Sequence, residues 1–250
     1  MTPHCIYRVF EPEPKGTMTF DRHYLLYAAK GAIRLQAEGR TWLLHPYRAA
    51  WIRAGEPVIA TIDHRMTCCS VLYPTGQITA PVEALTVFEM SPLARALILE
   101  CRQWGPEDAP PDDHGARIFA LLAQVCARLA ATPQDAWIPS GRSIAVRRAL
   151  AFAEAKLTQA PTFAEAARIA AVSERTLARR FEAETAMTWR QALRRMRLMR
   201  ALEILATEDR PITQIAFDVG YTSLSAFNAA FRDFAGLSPS AYRNRIRDAK

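Results

Sequence analysis

The chain has 250 residues, half of them hydrophobic, and a formal net charge of +7. Its length accommodates two domains, each with its own core, and its hydrophobic fraction excludes a disordered chain. Five irregularly spaced cysteines exclude a disulfide framework, and no segment approaches the ~18 uninterrupted apolar residues of a membrane helix.

The opening MTPHCIYRVFEPEPKG lacks the basic-then-apolar pattern of a signal peptide, so a cytoplasmic protein with no membrane partner is expected. The charge is unevenly placed. Residues 140–250 hold 19 Lys and Arg against 11 Asp and Glu, a net of +8, whereas residues 1–139 hold 13 against 14. Such asymmetry points to a polyanion partner for the C-terminal part alone, or to a well-solvated helical surface there.

Up to about residue 85 the chain reads as short strands. YLLYAAKGAIRLQAEGRTWLL has apolar runs broken at Lys30-Gly31 and Glu38-Gly39, both hairpin-like turn signals, and AAWIRAGEPVIATI and CCSVLYP continue the pattern. Many short strands with regular turns predict a small sandwich or barrel. Aromatic residues there (Tyr24, Tyr27, Trp42, Trp51, Tyr73) suit either a ligand pocket or an ordinary core. As effector-binding candidates we single out His23, Tyr27, Trp42 and Trp51. In DHRMTCCS an extended chain would put His64 and Cys68 on one face and Cys69 on the other. That pattern allows the start of a metal site or a redox-sensing thiol, but buried strand residues are the simplest account.

From Ser91 the period changes to that of a helix. Residues 92–104 and 115–131 form two amphipathic helices, the second with Ile118, Leu121, Leu122, Val125 and Leu129 on one stripe. Residues 91–131 therefore make a helical connector, with dimerisation or packing against the barrel as its roles. The breaker-rich residues 132–142 read as a linker, and residues 143–250 as an all-helical domain.

That domain contains an internal repeat. Phe163, Ala166 and Ala167 fall on Ile212, Ile215 and Ala216, and after the turn Ser173, Leu177 and Phe181 fall on Ser223, Phe227 and Phe231. Each copy is a helix, a tight turn, a capping serine and a second helix, giving units at about 162–185 and 212–235. Leu177/Phe181 and Phe227/Phe231, four apart, seal each second helix to the core. The opposite faces carry Arg175, Thr176, Ala178 and Arg179 in the first copy, and Leu224, Ser225, Asn228 and Ala229 in the second. Arginine reads guanine bidentately, asparagine reads adenine, and apolar side chains meet the thymine methyl. Ser173 and Ser223 would cap these helices and leave backbone N–H groups for a phosphate. A connecting helix over 188–207 would span about 30 Å, close to the ~34 Å between successive major grooves on one DNA face. Its Arg190, Arg194, Arg195, Arg197 and Arg200 would touch phosphates or solvent.

IAFDVGYTSLSAFNAAFRDFAGLSPSAYR, within the segment from Ser143 to Arg247, resembles the C-terminal signature of the AraC/XylS family of bacterial transcription regulators along its whole length. The resemblance implies seven helices with two helix-turn-helix units, recognition helices starting at Ser173 and Ser223, double-stranded DNA and RNA polymerase as partners, and a small-molecule effector. Two positions depart from the family pattern: Ala171 and Ala186 stand where it usually has glycine, and an alanine forced into the left-handed region costs roughly 1 kcal/mol. PYRAAWIRAGEPV resembles the second conserved stretch of cupin sensor barrels. His23 lies near the expected first histidine of a cupin metal site, but no paired H-x-H follows and Val58 stands where the second motif's histidine usually falls. Hence neither an enzyme, a metal nor a cofactor is expected.

The expected fold is α+β: a cupin-like N-terminal β-barrel over 1–90, the helical connector, and the C-terminal all-α domain with two helix-turn-helix units. The expected function is a sequence-specific, ligand-responsive transcriptional activator in the cytoplasm, associated with the nucleoid and possible as a homodimer. The alternatives are a non-specific architectural DNA binder and a metal-dependent cupin enzyme with a DNA-binding tail.

Overall fold

A computed structural model describes residues 2–132 and 137–247, with the side chains of Thr207 and residues 245–247 left aside. The middle of the expected linker, residues 133–136, and the last three residues of the chain lie outside the described residues. Two compact units divide it, residues 1–37 with 42–135 and residues 38–41 with 136–250.

The first unit is built on two antiparallel sheets. One has the order β1 (His4–Phe10), β8 (Met66–Tyr73), β3 (His23–Lys30), β6 (Arg48–Ile52), β9 (Leu85–Glu89). The other runs β5 (Arg40–Leu44), β4 (Ile33–Ala37), β7 (Val58–Ile62), β2 (Glu13–Met18). The expected barrel thus takes the form of a cupin-compatible jelly roll in two sheets, without closure among the described strands. Glu38 and Gly39 both have positive φ (48° and 75°) in the β4–β5 hairpin, the backbone of a type I′ turn.

The first sheet is covered on both faces, so every residue of β8 is buried. Leu25, Tyr27, Ala49, Trp51, Cys69, Val71 and Tyr73 pack against two helices, α1 (Pro92–Glu100) and α2 (Asp113–Ala130). Ser91 caps α1 and Asp112 caps α2, each accepting from the backbone N–H three residues on. The expected apolar stripe of α2 is rotated: Phe119, Leu122, Val125 and Cys126 are buried, whereas Leu121 is 42% exposed. Phe119 packs inward with its ring edge-on to Tyr73, whose hydroxyl also donates to the Phe119 carbonyl (3.0 Å). α1 is also shorter than expected, giving way at Cys101–Gln103 to a single 3₁₀ turn.

In the second unit Ile138 and Pro139 (β10) pair with Thr41 and Arg40. Seven α-helices follow among the described residues: α3 (Ile144–Ala155), α4 (Phe163–Ile169), α5 (Glu174–Thr185), α6 (Trp189–Thr207), α7 (Ile212–Asp218), α8 (Leu224–Ala235) and α9 (Pro239–Arg247). α4–α5 and α7–α8 are the two helix-turn-helix units. Thr162 with Glu165, and Thr188 with Gln191, form capping boxes at the starts of α4 and α6. Ala167 and Ala216 are buried, which permits the close helix approach their small size suggests.

Candidate functional site

The two second helices of the repeat are seated by equivalent aromatic packing. Leu177 and Phe181 bury one face of α5, and the Phe181 ring lies edge-on to Trp189, 5.6 Å between centroids. Phe227 and Phe231 do the same for α8, in a chain of ring contacts running from Tyr221 to Tyr242. Burial of these faces fixes which side each helix turns outward. On α5 that side presents Arg175, Ala178 and Arg179, all exposed, with Thr176 half-buried. On α8 it presents exposed Ser225 and Ala229, with Leu224 and Asn228 half-buried.

Both helix starts are tied down by the predicted serines. Ser173 Oγ accepts from the Thr176 backbone N–H and donates to Thr176 Oγ1 (3.3 and 2.9 Å). Ser223 Oγ accepts from the Ala226 N–H (3.3 Å) and lies 2.7 Å from Ser225 Oγ. The far end of α5 is anchored too. Glu184 accepts from the backbone N–H groups of Arg142 and Ser143 (2.6 and 2.8 Å) at the start of α3. Burial alone would raise the pKa of this carboxyl, but those hydrogen bonds outweigh it and hold the group below its ordinary range.

The arginines of α6 divide by role. Arg194 pairs with Asp233 (2.6 Å) and Arg200 with Glu203. Arg197 donates through Nε and Nη2 to the Leu157 carbonyl. Arg195 lies over the Trp137 and Phe234 rings and donates to the Trp137 carbonyl. Arg194, Arg195 and Arg197 thus tie α6 to neighbouring segments, a use that a helical charge pattern does not reveal, whereas the Arg200 pair lies within α6 itself. Arg190 is exposed at the start of α6.

In the first unit a cavity of about 250 Å³ lies between the two sheets. Phe10, Tyr24, Leu26 and Met66 line it from one sheet, Ile33 and Ile62 from the other. Tyr24 OH approaches Cys68 Sγ (3.9 Å), which also meets Ser70 Oγ. Burial pushes the Tyr24 hydroxyl well above its ordinary pKa, so it stays protonated. The four effector candidates read from sequence sit elsewhere. Tyr27 and Trp51 face the helices, Tyr27 accepting from Arg95 Nε (3.1 Å) and Trp51 stacking on Tyr73. His23 Nδ1 accepts from the Ala54 N–H (3.1 Å), and Trp42 is buried in β5. His64 is exposed in the bend before β8, so it does not join Cys68, and no metal-ligand cluster occurs among the described residues. Sequence reading missed Phe10, Leu26, Ile33, Ile62 and Met66 as a lining. The register of β3 against β8 would have grouped Tyr24 and Leu26 on the face opposite Tyr27.

A family model described as a helix-turn-helix domain matches residues 166–245. The regulator NimR of Escherichia coli K12 is 27% identical over 224 residues, covering 89% of this chain and 80% of its own length. A putative AraC-like transcription regulator of Streptomyces antibioticus is 36% identical over 107 residues, 43% of this chain and 35% of the relative. Among solved structures, the DNA-binding domain of AdpA in complex with a target DNA is 30% identical, with a TM-score of 0.40, covering 43% of this chain and 97% of that one. The chain thus spans most of NimR but only about a third of the Streptomyces relative. No helix among the described residues is long and apolar enough to cross a membrane. With two capped helix-turn-helix units and these relatives, the chain is a DNA-binding transcriptional regulator similar to AraC-like regulators.

Proposed function

We propose that the chain is a ligand-responsive transcriptional activator that reads a bipartite DNA site. The single observation that carries this is the pair of outward helix faces on α5 and α8, alike in framework and unlike in chemistry. α5 offers the fork donors Arg175 and Arg179, and α8 offers Leu224, Ser225, Asn228 and Ala229. A binder indifferent to sequence has no use for two different faces. α6, whose 19 residues span about 28 Å, joins the two units, and that length is comparable to the ~34 Å between adjacent major grooves, with DNA bending taking up the remainder. Ser173, Thr176 and Ser223, with the helix N-termini they cap, fit phosphate contacts.

The inter-sheet cavity is the effector site in this proposal, within a sensor over residues 1–90. Residues 91–131 form its connector and dimerisation element, residues 132–142 the linker, and 143–250 the DNA-binding domain. Effector binding shifts the population toward the state that presents both units to DNA and to RNA polymerase. The protein acts in the cytoplasm, on the nucleoid, and catalyses nothing.

Mapping genome-wide occupancy in the host tests this directly. The expected result is a few sharp sites, each with two short submotifs about one helical turn apart, that change with growth condition. Diffuse occupancy without a motif under every condition would instead establish an architectural binder.

A further inference from the structure

Cys5 and Cys69 present their sulfur atoms to each other at 3.8 Å, in the layer between the first sheet and helices α1 and α2. Both are free, buried thiols. The strand register explains the approach. Cys5 lies opposite Val71 and Cys69 opposite Tyr7, so the two cysteines are diagonal neighbours on one face of the β1–β8 pair. Cys68, next in the chain, faces the inter-sheet cavity instead.

The two thiols are not equivalent. Hydrogen bonding with Cys69, backed by the Ser70 backbone and the Arg102 charge, holds the Cys5 thiol below its ordinary pKa in spite of burial. Cys69 is raised by that same bond and by burial, and keeps its proton. It has one proton to give, to Cys5 or to the Ile98 carbonyl of α1 at 3.3 Å. One member thus reaches the thiolate more readily while the other stands beside it, the attacking and resolving roles of a dithiol. Cys5 also lies on an edge strand. Its backbone N–H donates to the Trp104 carbonyl just past the single 3₁₀ turn, and Arg102 of that turn lies over the Tyr7 ring. Opening of this one turn, a local event, brings a small solute to the sulfur.

We propose that Cys5 and Cys69 form an oxidant-sensing dithiol, closed to a disulfide by a small hydroperoxide and reopened by a thiol reductant. The Cys5 thiolate attacks a peroxide oxygen, the O–O bond breaks, and the departing oxygen takes up the proton that Cys5 gave up. Cys5 is then a sulfenic acid. The Cys69 sulfur attacks it, the S–S bond forms, the S–O bond breaks, and the hydroxide leaves as water with the Cys69 proton. Two thiols are oxidised and one hydroperoxide is reduced. The site lies on the face of the first sheet opposite the cavity and does not rest on that cavity's role.

Closing the bond moves what it touches. The sulfurs approach from 3.8 Å to about 2 Å, and diagonal neighbours have α carbons about 7–8 Å apart, at the limit of what a disulfide spans. The edge strand β1 therefore shifts against β8, and Cys69, its proton gone, releases the Ile98 carbonyl near the end of α1.

The test treats the full chain with a small molar excess of hydrogen peroxide, alkylates the remaining thiols in urea and maps the peptides. The expected product is an intramolecular disulfide joining Cys5 to Cys69, with three of the five thiols alkylated and all five recovered by dithiothreitol. Fragmentation of the linked peptide tells Cys69 from Cys68 in the wild type, so the result needs no folded variant. Cys5→Ala should slow oxidation of Cys69 by about tenfold or more. Hydrogen exchange over α1 should rise in the oxidised chain and return on reduction. Five intact thiols at a peroxide dose that oxidises them in urea would overturn the proposal. So would a link that uses Cys68, Cys101 or Cys126, a link between two chains, or a sulfinic acid on Cys5 with no link. Unchanged exchange over α1 in the oxidised chain would overturn the sensing role.

Discussion

Gly220 lies directly beneath the carbonyl of Leu157. A Cβ at Gly220 would come to 2.6 Å from that oxygen and 2.9 Å from Arg197 Nε, and its φ of +89° is in any case the province of glycine. Since Arg197 donates twice to the same carbonyl, the turn of the second helix-turn-helix unit, the α3–α4 connection and α6 meet at one point. Gly220→Ala is expected to destabilise the domain by about 3 kcal/mol or more. Gly236→Ala, at a similar φ but in open space, should cost about 1 kcal/mol. Denaturant unfolding of the two variants side by side separates steric clash from backbone preference.

The departures at Ala171 and Ala186 can be used in the opposite direction. Both are held at positive φ, 55° and 53°, and Ala186 ends α5 in the left-handed conformation. Ala186→Gly should raise stability by about 0.5–1 kcal/mol, and Ala171→Gly by a similar amount, measured as an increased denaturation midpoint with unchanged m-value. Destabilisation by either would show that its methyl group makes a packing contribution larger than the backbone strain.

DNA binding should separate the exposed arginines by chemistry. Arg175→Ala or Arg179→Ala is expected to weaken binding to a selected operator by about 1–3 kcal/mol and to relax specificity in one submotif only. Arg190→Ala should instead weaken operator and random DNA alike and reduce the salt slope by about one. Fluorescence anisotropy at several salt concentrations distinguishes the two. Uniform losses for all three would mean that α5 does not read bases.

Acid sensitivity is expected from the first unit. His45 is held neutral in the fold with a pKa of about 3, while in the unfolded chain it titrates near 6.5. The unfolded state therefore binds the extra proton between those values. Its contribution to stability is full above about pH 6.5 and falls as pH drops, by about 2 kcal/mol at pH 5. His45→Gln should flatten the Tm of the free protein between pH 7 and pH 5 relative to wild type. A parallel fall in the two proteins would assign the sensitivity to other groups.

The helix-turn-helix units were legible in the sequence because their signals are local. Ser173 and Ser223 before a helix, Leu177/Phe181 and Phe227/Phe231 four apart, and Gly220 and Gly236 at turns report on structure within a few residues of themselves. The inter-sheet cavity was not. β3 and β8 are buried on both faces, so the alternation that would tell Tyr24 from Tyr27 is erased, and only the partner layer decides which side each serves. Tyr27 and Trp51 read as pocket candidates for their chemistry, yet helices α1 and α2 claim them. Arg48 and Arg197 illustrate the same limit. An arginine in a strand or on a helix reads as a solvent group, and neither the burial of Arg48 nor a bond from Arg197 to a carbonyl 40 positions away leaves a pattern along the chain.

The first half of α6 also fixes an angle. Ala192 and Met196 belong to the core that holds α5, while Arg194 pairs with Asp233 of α8 and Arg195 lies over Phe234. Each residue of an α-helix advances about 1.5 Å and turns about 100°. Two neighbouring stripes of one rigid helix therefore hold the two units, and the angle between those stripes, rather than the length of the helix, governs how the units face. On the proposed bipartite reading, a residue inserted there would turn one seat by about 100° against the other, so that the two units could no longer meet the same duplex together.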